Sequence, residues 1–348
     1  MNTWEKNIRK VVPYTPGEQP NEKNMIKLNT NENPYPPSPK VLAAKADLEE
    51  LRLYPDPVAK DLVKALADYH GLSEDQIFVG VGSDDVLAMS FLTFFNSEKP
   101  IFFPDITYSF YDVWADLFRI PYETKALNAA FEIEANDYYT ENGGVIFPNP
   151  NAPTGLLTNL DFVRDILDHN RDVIVIVDEA YIDFGGESAI SLLHEYKNLI
   201  VVRTFSKSRS LAGLRIGYAM GNPKLIKALN DVKYSYNSYT MNYPSIVLGV
   251  ESIRDDEYFK ETVSKIIETR EWFEKELTRL GFTYPKSYSN FVFVSHKSVP
   301  AKEIFEAAKK KHIYVRYFDK PRIDQYLRIT IGTDEEMKAV VSFLEEFL

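Results

Sequence analysis

Between Gln76 and Gly221 the chain repeats short apolar runs: "QIFVGV", "PIFFP", "GGVIFP", "DVIVIVDEA", "NLIVVRTFS" and "RIGYAMG". Many of them are separated by helix-like segments. A strand with one wet face alternates apolar and polar residues. A continuously apolar strand needs two dry faces. Runs of this kind, joined by helices, predict an α/β fold with a largely parallel sheet covered on both sides. The composition, 45% hydrophobic and 26% charged, is enough to build such a core. No cysteine is present, which excludes disulfides and thiolate metal sites and suits a reducing, cytoplasmic compartment.

From Asp255 the pattern changes. "EYFKETVSKIIETREWFEKELTRLGF" places Phe259, Val263, Ile266, Phe273, Leu277 and Leu280 at helical spacing and predicts one long amphipathic helix ending near Gly281. Strand-like "NFVFVSHK", helix-like "AKEIFEAAKKK", strand-like "IYVRYF" and "YLRITIG", and a final helix follow. Thr333 and Glu336 form a capping-box pattern at the start of that helix. This predicts a smaller α+β domain. The expected division is an N-terminal arm over 1–40, a large domain over 41–250 and a small domain over 251–348, with the boundary near 240–255. Pro-rich "NENPYPPSP" reads as an extended lead-in, and the arm is expected to pack with the small domain.

Several function classes drop out. A net charge of −11 and a pI of about 5.1 argue against nucleic acid, so any anion site must be built locally. The start, "MNTWEKNIRK", lacks the apolar core of a secretory signal, and no run approaches the roughly 20 apolar residues of a membrane helix. His70, His169, His194, His296 and His312 have no metal-like spacing, so no metal is expected.

In open parallel sheets, ligands bind beyond the carboxyl ends of the strands. After "IFVGV" come Gly82, Ser83, Asp84 and Asp85 and a helical pattern. That is either a phosphate cup of free N–H groups or an ordinary turn with Ser83 or Asp84 as N-cap. After "IVIV" comes Asp178, a partner for a cationic ring nitrogen, or a metal ligand, or a helix cap. After "LIVV" come Thr204, Ser206 and Lys207, with Arg215 downstream. Lysine forms Schiff bases, although a lone lysine is more often a surface or ion-pair residue. Together the set has a chemistry. An aldehyde cofactor with a phosphate tail and a basic ring nitrogen needs a lysine, an acid, an anion cup and an aromatic face. Pyridoxal phosphate (PLP) is such a cofactor. Lys207 and Asp178 suit its aldehyde and ring nitrogen. Ser83, Asp84, Ser206 and Arg215 suit its phosphate, and Tyr108 of "PDITYSFY" suits the stacked face.

The motifs "GSDD", "TYSFY", "NPNAPTG", "DEAYIDF", "TFSKSRSLAGLRIGY" and "LRITIG" resemble those of fold-type I PLP-dependent aminotransferases. With "PYTPGE", "KLNTNENPYPPSP" and "LYPDP", the order and spacing resemble the histidinol-phosphate aminotransferase group over nearly the whole chain. The resemblance implies a large PLP domain with a smaller α+β domain and a homodimer. It implies that Lys207 carries the Schiff base, Asp178 pairs with the ring nitrogen, Tyr181 meets the ring hydroxyl and Tyr108 stacks on the ring. Ser83, Asp84, Thr204, Ser206 and Arg215 are implied to hold the phosphate, with Tyr54 reaching it from the partner subunit. Arg328, Arg316, Tyr14 and Asn31 are implied to bind substrate. One position departs: the family's asparagine before Pro-Thr-Gly is Ala152 here, so either Asn151 takes its role or Tyr181 acts alone.

The implied reaction is transamination of histidinol phosphate with 2-oxoglutarate, giving imidazole-acetol phosphate and glutamate in histidine biosynthesis. Lys207 serves as base and then acid, with ping-pong kinetics. An aromatic amino-acid aminotransferase and a threonine-phosphate decarboxylase resemble the same pattern. A non-catalytic PLP-fold regulator would need a DNA-binding extension, and none is evident.

Overall fold

The six apolar runs become six strands of one seven-stranded sheet. The structure, a computed structural model, describes residues 3–348; Met1 and Asn2, at the tip of the expected arm, lie outside the described residues. From one edge the strands run Ile77–Gly80, Gly217–Gly221, Leu199–Thr204, Val175–Asp178, Gly144–Pro148, Ile101–Pro104 and Tyr122–Lys125. Only Gly217–Gly221 runs against its neighbours; the other pairings are parallel. Alternate residues feed two separate cores. Leu199 and Val201 enter one, while Ile200 and Val202 enter the other. That explains why these runs have no polar side. The strand Tyr122–Lys125 has no apolar run and was not foreseen. It lies at the edge, where Tyr122, Glu123 and Thr124 are exposed, and an edge strand needs charge more than it needs a dry face.

The second unit has its own core, with Phe273, Leu277, Val292, Val294, Ile304 and Ile329 among its buried residues. Its four-stranded sheet is ordered Arg316–Tyr317, Leu327–Thr330, Phe291–His296, Phe282–Thr283. The long helix spans Asp256–Arg279, and Gly281 follows it with φ +86. The final helix, Asp334–Phe347, carries the expected reciprocal capping box of Thr333 and Glu336. The single strand expected from "IYVRYF" is instead split. Ile313–Tyr314 pairs in parallel with Ile26–Lys27 of the arm, whereas Arg316–Tyr317 pairs with Leu327–Thr330. Two partners in different directions cannot be served by one straight strand. The arm is thereby stitched to the second unit: Leu28 N–H donates to Tyr314 O at 2.8 Å and Thr330 N–H to Leu28 O at 3.0 Å.

The helix Tyr243–Arg254 buries Ile246, Val250 and Ile253 in the first core, whereas Asp256–Arg279 buries Val263 and Ile266 in the second. On this packing we propose that the two units divide at Asp255. Among the described residues no helix is long and apolar enough to cross a membrane.

Candidate active site

Asp178 ends its strand between Pro148 and Val202 of its neighbours and lines a cavity at the carboxyl edge of the large sheet. It is fully buried. Tyr111 Oη donates to its Oδ2 at 2.9 Å and Ala180 N–H to its Oδ1 at 3.2 Å. Burial nevertheless pushes its carboxyl up to about 6, since those two bonds only partly offset the lost hydration. No basic side chain pairs with it among the described residues. A buried carboxylate left in this state favours a cationic partner.

Beside it, the strand Ile77–Gly80 hands over to the helix Gly82–Phe94. Gly82, Ser83 and Asp84 form the helix's first turn, so their N–H groups have no intrahelical acceptor. Neither Ser83 nor Asp84 is the N-cap; Val81 is, and its N–H is held by Asp85 at 2.9 Å. Glycine is required in two places. A Cβ on Gly82, at φ +84, would lie 2.5 Å from a guanidinium nitrogen of Arg215. A Cβ on Gly217 would lie 2.2 Å from the Gly82 carbonyl carbon. The two bare backbones let free amides and a guanidinium converge on one spot. Arg215 also pairs with Asp84 Oδ2 at 3.1 Å, and Tyr108 Oη donates to Asp84 Oδ1 at 2.6 Å. The Asp84 carboxylate is thus committed to protein partners, and its backbone amide is what it offers an anion. Ser206 lines the cavity, with its Oγ 3.4 Å from Arg215. Thr204 does not line it. Its hydroxyl turns to Ser206 Oγ at 3.0 Å and Ile216 O at 3.3 Å, so it buttresses Ser206 from behind.

Lys207 enters the cavity from the loop after Leu199–Thr204. Its Nζ donates to Thr30 O at 3.1 Å and lies 5.8 Å from the Tyr181 ring centre. Asn33 Nδ2 holds the backbone, donating to Lys207 O at 3.0 Å. Tyr181 Oη accepts from Asn31 Nδ2 at 2.8 Å. Asn151 does not join them. Its amide donates to Ile106 O and Thr154 Oγ1, both at 3.0 Å, and its Oδ1 accepts from Thr107 at 3.2 Å. It braces its own loop, and Ala152 faces the cavity in its place. Neither asparagine of "NPNAPTG" therefore supplies an amide beside Tyr181.

The cavity opens into a second space walled by Arg316, Arg328, Tyr14 and Phe318. Arg316 and Arg328 sit directly opposite each other on paired strands. Neither forms an ion pair with an acidic side chain among the described residues. Like charges facing each other across a strand pair are destabilising. Arg328 Nη2 donates to Asn29 O at 3.0 Å, but among the described residues its buried Nε has no partner, and burial holds its basicity down. The strand alternation is as expected: Leu327 and Ile329 are buried on the opposite face. Tyr14 stacks on Phe110 at 4.1 Å. Tyr54 lies outside both spaces, 81% exposed and beside Tyr239.

The family model for aminotransferase class I and II matches residues 23–344. The chain belongs to this family. This aminotransferase is 51% identical over 347 residues to the histidinol-phosphate aminotransferase of Clostridium botulinum (strain 657 / Type Ba4), covering 99% of this chain and 98% of the relative. It is 52% identical over 348 residues to that of Lactococcus lactis subsp. cremoris (strain MG1363), with the same coverage. It falls in the histidinol-phosphate aminotransferase branch. The crystal structure of the Clostridium acetobutylicum histidinol-phosphate aminotransferase matches it at TM-score 0.86 and 22% identity, covering 93% of this chain and 99% of that one. The Sinorhizobium meliloti enzyme, solved in complex with pyridoxal-5'-phosphate, matches at TM-score 0.85 and 23% identity, covering 93% and 92%. These two share its fold.

Sequence reasoning about the aminotransferase missed Tyr111, Thr30 and Asn33. Tyr111 lay in the quoted "TYSFY", but a tyrosine among aromatics reads as core packing, and it does pack on Phe91 and Trp114. Thr30 acts through its carbonyl, for which no sequence signal exists.

Proposed function

We propose that this aminotransferase moves the amino group of L-histidinol phosphate to 2-oxoglutarate, giving imidazole-acetol phosphate and L-glutamate, with pyridoxal phosphate as cofactor. The observation that carries the reading is the facing pair Arg316 and Arg328, without acids, above Lys207 and Asp178. Both proposed substrates are anions. A guanidinium accepts carboxylate or phosphate bidentately, so one pair serves both in turn.

Pyridoxal phosphate fits the residues present: a fully buried carboxylate lacking a cation, a glycine-lined cup of free amides with Arg215, and a lysine between them. When bound, it supplies an aldehyde for amines and a ring that takes up the electrons left as the α-proton departs. Asp178 keeps a proton on the ring nitrogen, and Tyr111 fixes the carboxylate in place. The amides of Ser83 and Asp84, with Ser206 and Arg215, hold the phosphate, and Tyr108 covers the ring. Lys207 Nζ would hold the cofactor at its aldehyde and, once free, would take the proton from the substrate's α-carbon. Arg328, Arg316 and Tyr14 keep the substrate's anionic end fixed, so that carbon stays within reach of Nζ. Because each substrate uses the site alone, the kinetics are ping-pong.

The active unit is a homodimer. Tyr54 is 81% exposed, and Leu48, Leu51, Leu53 and Val58 around it are also exposed, an apolar stretch suited to burial against a second copy. From there Tyr54 reaches the partner's phosphate cup. The cysteine-free chain suits a reducing cytoplasm. A coupled assay with 2-oxoglutarate as acceptor tests the substrate. Histidinol phosphate is expected to turn over well ahead of phenylalanine. Preference for phenylalanine would make the enzyme an aromatic aminotransferase, and release of carbon dioxide from threonine phosphate would make it a lyase.

A further inference from the structure

Asn31 sits where the arm, the small sheet and the cavity meet. It is 1% exposed and adopts a left-handed backbone, φ 57, which asparagine tolerates better than most residues. The small unit holds it on three sides. Asn31 N–H donates to Thr330 Oγ1 at 3.1 Å, Thr330 Oγ1 donates to Asn31 Oδ1 at 3.1 Å, and Asn290 Nδ2 donates to Asn31 O at 3.0 Å. These bonds set the amide's orientation. Flipping it would leave the Thr330 proton without an acceptor. The remaining group, Asn31 Nδ2, donates to Tyr181 Oη at 2.8 Å.

A tyrosine hydroxyl has one proton and two lone pairs. With Asn31 on one lone pair, Tyr181 keeps its own proton free, and it makes no other hydrogen bond among the described residues. Asn151 is turned away, and Ala152 has no amide to offer. We propose that Asn31 is a positioning residue: its amide commits the Tyr181 proton to the cofactor's ring hydroxyl oxygen, and ties that contact to Thr330 and Asn290 of the small unit. The proposal rests on the reading of the cavity as a pyridoxal phosphate site. A proton given to that oxygen by Tyr181 competes with the proton on the linkage to Lys207. Removing the donor therefore raises the pH at which the cofactor's visible absorption titrates. The other charged and titratable groups facing Tyr181 are Lys207, Asp178, Asp84, Arg215, Tyr14, Tyr108, Tyr111, Arg316 and Arg328, and all are retained in the variants below.

The holoenzyme is titrated by visible absorption as wild type, Asn31→Gly, Tyr181→Phe and the double variant. Glycine deletes the amide without straining a left-handed backbone. Tyr181→Phe is expected to raise the midpoint by about one pH unit and Asn31→Gly by roughly half as much. The double variant is expected to move no further than Tyr181→Phe, because Asn31 acts through Tyr181. Asn31→Asp, which offers only an acceptor, is expected to capture the Tyr181 proton and shift the midpoint at least as far as Tyr181→Phe. A wild-type midpoint in Asn31→Gly, or additive shifts in the double variant, overturns the proposal. Should the glycine variant not fold, a wild-type midpoint in Asn31→Asp overturns it equally. A wild-type protein whose visible band does not depend on Lys207 overturns the cofactor reading, and this inference with it.

Discussion

On the floor of the cavity, Tyr111 holds Asp178, Tyr108 and Arg215 hold Asp84, and Thr204 holds Ser206. On the rim, Arg316 faces Arg328 and, among the described residues, no acid pairs with either and Arg328 Nε has no hydrogen-bond partner. The floor is built around the carboxyl edge of the seven-stranded sheet, and its groups are oriented before any ligand arrives. The rim comes from paired strands of a second sheet and from the arm, and its charges are left for a ligand to satisfy. The contrast separates two jobs. Preorganised groups on rigid elements fix the chemistry, because reacting atoms tolerate little misplacement. Uncompensated charges on the rim select the substrate, because they gain most from an anion of matching geometry.

If this division is right, floor variants damage every reaction and rim variants damage recognition alone. Lys207→Ala is expected to have the largest effect, a loss on the order of ten-thousand-fold in kcat with any amino donor. Borohydride reduction of the wild type should fix the cofactor to a peptide containing Lys207; a label on another lysine contradicts the assignment. Asp178→Asn is expected to lower kcat by roughly a hundredfold or more, since the ring nitrogen loses its proton-holding partner. The same variant tests the floor's electrostatics by denaturant unfolding without cofactor. Asp178 titrates at about 6 in the fold against 3.8 ordinarily, so the folded protein binds that proton more tightly than the unfolded chain. The stability tied to that proton is complete below pH 3.8 and lost as pH rises through about 6. Asp178→Asn should therefore stabilise the cofactor-free protein at pH 7, by up to about 3 kcal/mol, and the gain should vanish near pH 3.8. A destabilised variant at pH 7 would mean that the carboxylate is already compensated. Tyr54→Phe is expected to cost less, about tenfold in cofactor affinity, as one hydrogen bond to a phosphate is lost. Mixing Lys207→Ala with Tyr54→Ala protein should restore activity through hybrid dimers. Full activity of a strictly monomeric protein contradicts the shared site.

The floor was more legible in the sequence than the rim, for a physical reason. Asp178, Lys207 and the Gly82–Asp84 turn each follow an apolar run directly, so the end of a buried strand announces where they stand. Arg316 and Arg328 lie in runs that read as strands, yet nothing local says that those strands pair with each other, and "IYVRYF" split between two sheets. Pairing is a property of distant segments. Thr204 and Asn151 show what closeness in sequence leaves open. They stand two residues and one residue from the cavity-lining Ser206 and Ala152, yet their side chains bond within the protein: Thr204 backs Ser206 and Asn151 braces its loop. Backbone acceptors such as Thr30 O leave no trace in a sequence.

The most direct measurement of the separation between floor and rim is Arg328→Ala in both half-reactions, followed by cofactor absorption and single-turnover kinetics. Losing a charge-assisted bidentate contact costs about 1.5–3 kcal/mol per hydrogen bond, so kcat/KM is expected to fall at least about tenfold for glutamate and for histidinol phosphate alike. The cofactor's absorption is expected to match the wild type, because Lys207 and Asp178 are untouched. Loss of the absorption band or of folding, or a defect with only one of the two substrates, would contradict the account.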